Sequence, residues 1–188
     1  MTFSDIQTTN NLELKNLPRQ SQRRLLVELV HDALGQPLRV PVMVARGKQD
    51  GPVFGITAAL HGDEVNGIPV IHRLFEQLDL RQLRGTLVGV LVVNVPAYLR
   101  EQRRFINQVD LNHIMPGLAK GNEPNAYAYR LTSRLMGCLD YLADLHTASF
   151  GRINSLYVRA DLDDPTTATM AMLQRPTIIL HNPPADTT

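Results

Sequence analysis

Short apolar runs alternate with amphipathic stretches along this chain, and their order predicts strands alternating with helices. RLLVELVH (24–31) and PLRVPVMVARG (37–47) flank DALGQ, whose Gly35 supplies a short turn, so the stretch reads as a β-hairpin. PVFGITAAL (52–60) is nearly continuously apolar, the mark of a strand buried on both faces. In NGIPVIHRLFEQLD (66–79), Ile68, Ile71, Leu74, Phe75 and Leu78 recur at helical spacing, and a helix follows that strand. GTLVGVLVVN (85–94) is another buried strand. Strand, helix, strand is a βαβ unit, which implies parallel strands and a right-handed crossover.

The stretch 95–124 has no period and is rich in Pro, Gly and Asn; long structureless connections of this kind are often functional. Beyond it, NAYAYRLTSRLMGCLD (125–140) predicts a helix and YLADLH (141–146) a strand ending in histidine. INSLYVRA (153–160) and TIILHN (177–182) predict strands around a helix at PTTATMAMLQR (165–175). Residues 1–23 are polar and irregular. The expected organisation is therefore an irregular lead-in over 1–23 and one domain over 24–188. The fold class is α/β, with a mostly parallel or mixed central sheet, flanking helices and a preceding β-hairpin.

Composition narrows the function classes. At 188 residues and 44% hydrophobic, the chain can bury one sizeable core. A net charge of +1 gives no field for nucleic acid or an anionic membrane. One cysteine, Cys138, excludes a disulfide framework and a cysteine-rich zinc module, and points to a reducing, cytoplasmic setting. The first thirty residues lack a signal-peptide pattern, and no apolar run approaches the ~20 residues of a membrane helix.

In open α/β sheets, ligands bind beyond the carboxyl ends of the strands. His61 and Glu64 follow one predicted strand, Asn94 ends the next, and Asp144 and His146 close a third. A catalytic zinc needs three protein ligands and an open position. His61, Glu64 and His146 would supply two nitrogens and a carboxylate for one zinc ion per chain. Histidine and glutamate three apart also arise by accident, and the bland alternative is strand ends capped by local hydrogen bonds. Asp63 is expected to orient the turn or a ligand. Arg103 and Arg104 lie in the long loop; arginine forks onto carboxylates and oxyanions, and Asn112 can donate to the same kind of group.

HGDE (61–64), NVPAYLREQRRF (94–105), DLNHIMPG (110–117) and DLHTA (144–148), in that order, resemble the succinylglutamate desuccinylase/aspartoacylase family of the zinc carboxypeptidase-like superfamily. The resemblance implies a zinc-dependent hydrolase cleaving an amide bond in an N-acyl amino acid or peptide-like substrate. It implies His61, Glu64 and His146 as zinc ligands and Arg104 as the catalytic arginine that stabilises the developing oxyanion, with Arg103 the neighbouring substrate-binding candidate. Asn112 matches an asparagine that holds a substrate carboxylate. His113 stands where the family motif reads arginine, and would be a weaker, pH-dependent clamp or a ligand for a second metal.

The family's general base is a glutamate well after the third zinc ligand, and residues 147–188 contain none. The expectation is a chain truncated on its C-terminal side, feeble as a hydrolase, with an exposed sheet edge that favours a homo-oligomer. The competing reading is a non-catalytic metal-binding fragment or pseudoenzyme. A nucleotide-binding domain is disfavoured, because no strand-to-helix turn carries a Gly-rich phosphate fingerprint.

Overall fold

The computed structural model describes residues 6–184. The single domain expected over 24–188 divides into two compact units, Met1–Phe150 and Gly151–Thr188.

The first unit carries β1 (Ile6–Thr9), β2 (Ser21–His31), β3 (Pro37–Arg46), β4 (Gln49–Ala58), α1 (Gly67–Gln77), β5 (Arg84–Val90), α2 (Val95–Tyr98), α3 (Glu123–Arg134) and β6 (Tyr141–Leu145). Its strands form one sheet in the order β1-β2-β3-β5-β4-β6. β2 and β3 make the expected antiparallel hairpin. Its turn is held by Asp32, whose Oδ1 accepts from the backbone N–H groups of Leu34 and Gln36, with Gly35 at φ +76°. β4 pairs in parallel with both β5 and β6, so the three strands point their carboxyl ends to one edge of the sheet. With β3 antiparallel to β5, the sheet is mixed.

Strand alternation sends neighbouring residues into two separate cores. Val42, Val44, Val88 and Val90 pack with Tyr127 and Leu131 of α3 on one face. Met43, Ala45 and Leu87 pack with Ile71 and Phe75 of α1 on the other. This is why β3 and β5 read as continuous apolar runs. Gly89 must lack a side chain, because a Cβ there would sit 2.7 Å from Ile71 Cγ2 and 2.8 Å from Phe75 Cε2.

Several elements depart from expectation. The lead-in is not wholly irregular: Ile6–Thr9 pairs in parallel with β2. The helix expected over 125–140 starts at Glu123, because Asn122 caps it by accepting from Asn125 N–H, and stops at Arg134 before a separate 3-10 turn at Met136–Cys138. The long loop contains α2 and a 3-10 turn at Leu111–His113.

The second unit is a small βαβ of β7 (Tyr157–Ala160), α4 (Pro165–Leu173) and β8 (Ile178–His181), with β7 and β8 parallel and Asp164 Oδ1 capping α4 through Thr167 N–H. β7 begins four residues later than its apolar pattern implies. Among the described residues, no helix is long and apolar enough to cross a membrane.

Candidate metal centre

Three parallel strands deliver the candidate residues to one edge. The chain leaves β4 into a buried turn that carries His61 and Glu64, both nearly inaccessible at 3% and 2% exposure. β5 runs on to Asn94, whose side chain accepts from Ala97 N–H and donates to the Leu60 carbonyl, fixing α2 against the turn. β6 ends one residue before His146. One ligand atom each of His61, Glu64 and His146 lies within 4.8 Å of the others.

The two histidines present the same face to Glu64. His61 Nδ1 is 3.0 Å from Glu64 Oε1, and His146 Nδ1 is 3.0 Å from Glu64 Oε2. Both far nitrogens are held by carboxylates: His61 Nε2 by Asp110 Oδ1 at 3.1 Å, His146 Nε2 by Asp144 Oδ2 at 2.6 Å. Donation from Nε2 leaves Nδ1 as the lone-pair nitrogen, the arrangement by which outer carboxylates orient metal-binding histidines. His61 Nδ1 is buried and lacks a hydrogen bond despite its short distance to Glu64, because the geometry is not that of a hydrogen bond. A lone pair facing a carboxylate oxygen is a repulsive contact that a cation between them would relieve.

Glu64 is the hub. Its Oε1 accepts from Arg103 Nη1 (2.8 Å) and Ser149 Oγ (2.6 Å), and its Oε2 from Thr147 N–H (2.9 Å). Burial works to raise its pKa; hydrogen bonds with His146, Ser149 and Thr147, together with the close approach of His61 Nδ1, overcome that and hold it well below the usual carboxylate range. His146 is pushed up to about 10 by its hydrogen bonds with Asp144 and Glu64, against its own burial. Burial likewise raises Asp110, and His61, Asn112 N–H and Arg103 bring it below its ordinary value. Once the proton of His146 is displaced, three carboxylates (Glu64, Asp110, Asp144) against one guanidinium leave two negative charges, which a divalent cation matches. The residues present therefore fit a metal such as zinc.

Of the two adjacent arginines, the structure brings Arg103 to this cluster. Its Nη1 also donates to Ser149 Oγ at 2.5 Å, and its Nη2 lies 3.5 Å from Asp110. Arg104, to which the catalytic role is assigned on sequence grounds, is exposed and outside the cluster. The local backbone decides this. Gly62 N–H bonds the Arg103 carbonyl and Phe105 is fully buried, so Arg103 and Phe105 turn inward and Arg104 between them turns out.

Asn112 lines a cavity beside the centre, and His113 is exposed in the following turn position. Asp63, expected to orient the turn or a ligand, shows no hydrogen bond to either candidate histidine. Its Oδ1 is buried without a partner, and the carboxylates that orient the histidines are Asp110 and Asp144. Asp110 and Ser149 were not singled out by the sequence; the first letter of DLN and the serine three positions after His146 were the available signals. In the second unit, Asp161, Asp163 and His181 also cluster. There His181 Nδ1 accepts from Leu162 N–H, which leaves the proton on the Nε2 facing Asp163 and no ring lone pair for a metal.

Residues 50–188 match the family model described as the succinylglutamate desuccinylase/aspartoacylase catalytic domain. The N-alpha-acetyl-L-2,4-diaminobutyric acid deacetylase of Halomonas elongata is 29% identical over 109 residues, covering 57% of this chain and 32% of that protein. An aspartoacylase family protein from Mesorhizobium loti superposes with a TM-score of 0.75 at 23% identity, over 88% of this chain and 54% of its own. Murein-tripeptide amidase MpaA from Escherichia coli O157 shares the fold with a TM-score of 0.58 at 16% identity, over 85% and 74% of the two chains. This chain thus spans about a third of the deacetylase and about half of the Mesorhizobium protein.

Proposed function

The chain belongs to the succinylglutamate desuccinylase/aspartoacylase family, and on that premise we propose that it is a zinc-dependent hydrolase of an amide bond in an N-acyl amino acid or peptide-like substrate. The observation that carries this reading is the convergence of both Nδ1 atoms on the Glu64 carboxylate while both Nε2 atoms are held by Asp110 and Asp144. His61, Glu64 and His146 would hold the ion. Bound there, zinc supplies Lewis acidity to a carbonyl and acidifies a water.

The remaining roles fall to the chain's own side chains. Asp110 and Asp144 keep a proton on the far nitrogens and so keep the near ones available. Arg103, whose side chain is 30% exposed, takes the oxyanion-stabilising role expected of Arg104. Asn112, at the exposed mouth of the adjoining cavity, donates its amide to a substrate carbonyl or carboxylate. The burial of His61 and Glu64 limits water around the centre and strengthens each of these interactions.

A second reading, metal binding without turnover, is favoured by one observation. Glu64, Asp110 and Asp144 are each committed to a histidine, and residues 147–188 supply no glutamate to accept a proton. A positioned base contributes ~10²–10⁴ in rate, so a centre whose carboxylates are all engaged with histidines would turn over slowly.

Elemental analysis of the purified protein, beside His61→Ala and His146→Ala, tests the centre. The expected result is about one zinc per chain, lost in both variants. Zinc-dependent release of free amine from N-acyl amino acids then separates the readings: turnover abolished by chelation supports the hydrolase, and stoichiometric zinc without turnover supports the binding protein. A wild type that takes up no zinc overturns both.

A further inference from the structure

The cavity beside the metal centre bears on which acyl group the substrate carries, a question that rests on the hydrolase reading above. The cavity has a volume of about 400 Å³, within the ~300–1,000 Å³ usual for small-molecule sites. Leu60, Val93, Met115, Pro116, Met136 and Leu142 give it an apolar lining. It adjoins the centre through two shared walls. Leu60 directly precedes His61, and Asp144 lines the cavity while bonding His146.

Its polar groups are mostly engaged elsewhere. Thr57 Oγ1 donates to Asp144 Oδ1 at 2.5 Å, and Thr132 Oγ1 donates to the Ala128 carbonyl at 3.0 Å. The Asn112 side chain, on an exposed residue, is the amide left at the mouth. No Lys or Arg is among the lining residues, and the one charged liner is the carboxylate of Asp144. Arg103 is turned to Glu64, Ser149 and Asp110. A second carboxylate placed here would be desolvated among hydrocarbon groups, beside the Asp144 carboxylate and with no Lys or Arg in the lining to pair it.

We propose that this cavity receives an uncharged hydrocarbon acyl chain, longer than acetyl, so that the chain favours N-alkanoyl amino acids over N-succinyl ones. The two methionines fit this assignment, since their unbranched thioethers adapt to acyl chains of different shape. Each added methylene that enters the cavity gains apolar burial, whereas a terminal carboxylate gains none and loses its hydration.

The test compares N-hexanoylglycine, N-acetylglycine and N-succinylglycine as probes on the zinc-treated full chain. Calorimetry reads affinity, and methyl-labelled methionine resonances of Met115 and Met136 read location. The hexanoyl probe is expected to bind at least about tenfold tighter than the other two and to shift both methyl signals. Met136→Lys is expected to remove that preference with zinc content unchanged, and Leu142→Lys, at a more exposed position, serves the same purpose if the first variant does not fold. Equal or tighter binding of the succinyl probe, or hexanoyl binding that leaves both methyls unmoved, overturns the proposal. Hydrolysis separates it from the reading beneath it. Hexanoyl binding in the cavity without cleavage fails the hydrolase reading and upholds the acyl cavity; faster cleavage of N-succinylglycine upholds the hydrolase and fails the cavity.

Discussion

Two aspartates outside the ligand set govern how the histidines offer their lone pairs. Asp110 reaches His61 from 49 residues away, and Asp144 reaches His146 along its own strand. Removing such a partner typically costs about 10–100-fold in metal affinity. Asp110→Asn is therefore expected to weaken zinc binding by that factor in a chelator-competition titration, with the far-UV spectrum unchanged. The same contacts set a pH dependence. Hydrogen bonds with Asp144 and Glu64 push His146 up to about 10, so in chelated protein it carries a proton at neutral pH that the metal must displace. The raised pKa means that this proton's stabilising contribution is fully present below the ordinary histidine value and is lost as pH rises through about 10. Zinc affinity should climb by about tenfold per pH unit over that window, with close to one proton released per zinc at pH 7. Calorimetry in buffers of different ionisation enthalpy counts it, and a count of zero removes His146 from the ligand set. His61, Glu64 and His146 were legible in the sequence because each sits at a strand end with ligand chemistry. Asp110 was not, because DLN drew attention to Asn112 and His113, and nothing in the adjacent letters of Arg103 and Arg104 says which one the buried Phe105 will carry inward.

At the scale of elements, the centre depends on how closely the turn after β4 lies against α2. A Cβ on Gly62 would stand 2.3 Å from the Ala97 carbonyl carbon and the Tyr98 nitrogen, and 2.6 Å from the Gln102 carbonyl oxygen. All three are backbone atoms that no rotamer change can move. Gly62→Ala is expected to cost about 1–3 kcal/mol in urea denaturation and to weaken zinc binding, because the displaced turn carries His61 and Glu64. Gly35→Ala is the contrasting case. Open space surrounds that glycine and the penalty is its φ of +76° alone, about 1–2 kcal/mol, with zinc binding unchanged. If both variants bind zinc like wild type, the turn is not as rigid as its packing implies. The βαβ core of β4, α1 and β5 was legible because both sheet faces are buried and the apolar letters say so. The end of α3 was not. Leu139 packs over β4, with its Cδ1 only 2.4 Å from where a Cβ of Gly55 would be, and that tertiary contact draws 136–140 off the helical path. β1 was missed for the opposite reason. IQTT is largely exposed and carries no apolar alternation to read.

For the whole molecule, a net charge of +1 conceals three carboxylates gathered at the centre, so composition alone gives no hint of a cation site. Folding brings those charges together and buries the first of them, Glu64, at 2% exposure. In the unfolded chain they are dispersed and hydrated, so a metal that binds the assembled centre stabilises the folded state by linkage. At a free zinc concentration of 100 times Kd the gain is about 2.7 kcal/mol. For a chain of this size that corresponds to a rise in Tm of roughly 5–10 °C. All three candidate ligands lie within Met1–Phe150, so the transition that melts this unit is the one expected to move, in scanning calorimetry with and without zinc. His61→Ala should abolish the shift, and it should lower the metal-free Tm as well, because the variant loses a buried ring and its Nε2 hydrogen bond with Asp110. A shift that persists in His61→Ala would place the stabilising ion elsewhere. An unchanged Tm in the wild type would mean that Arg103, already bonded to Glu64, balances the carboxylates well enough that no ion is needed. Arg103→Met then decides between the two. Removing the guanidinium leaves the full negative charge for the metal, so zinc should raise Tm further in the variant than in the wild type if the site binds an ion, and leave it unmoved if it does not.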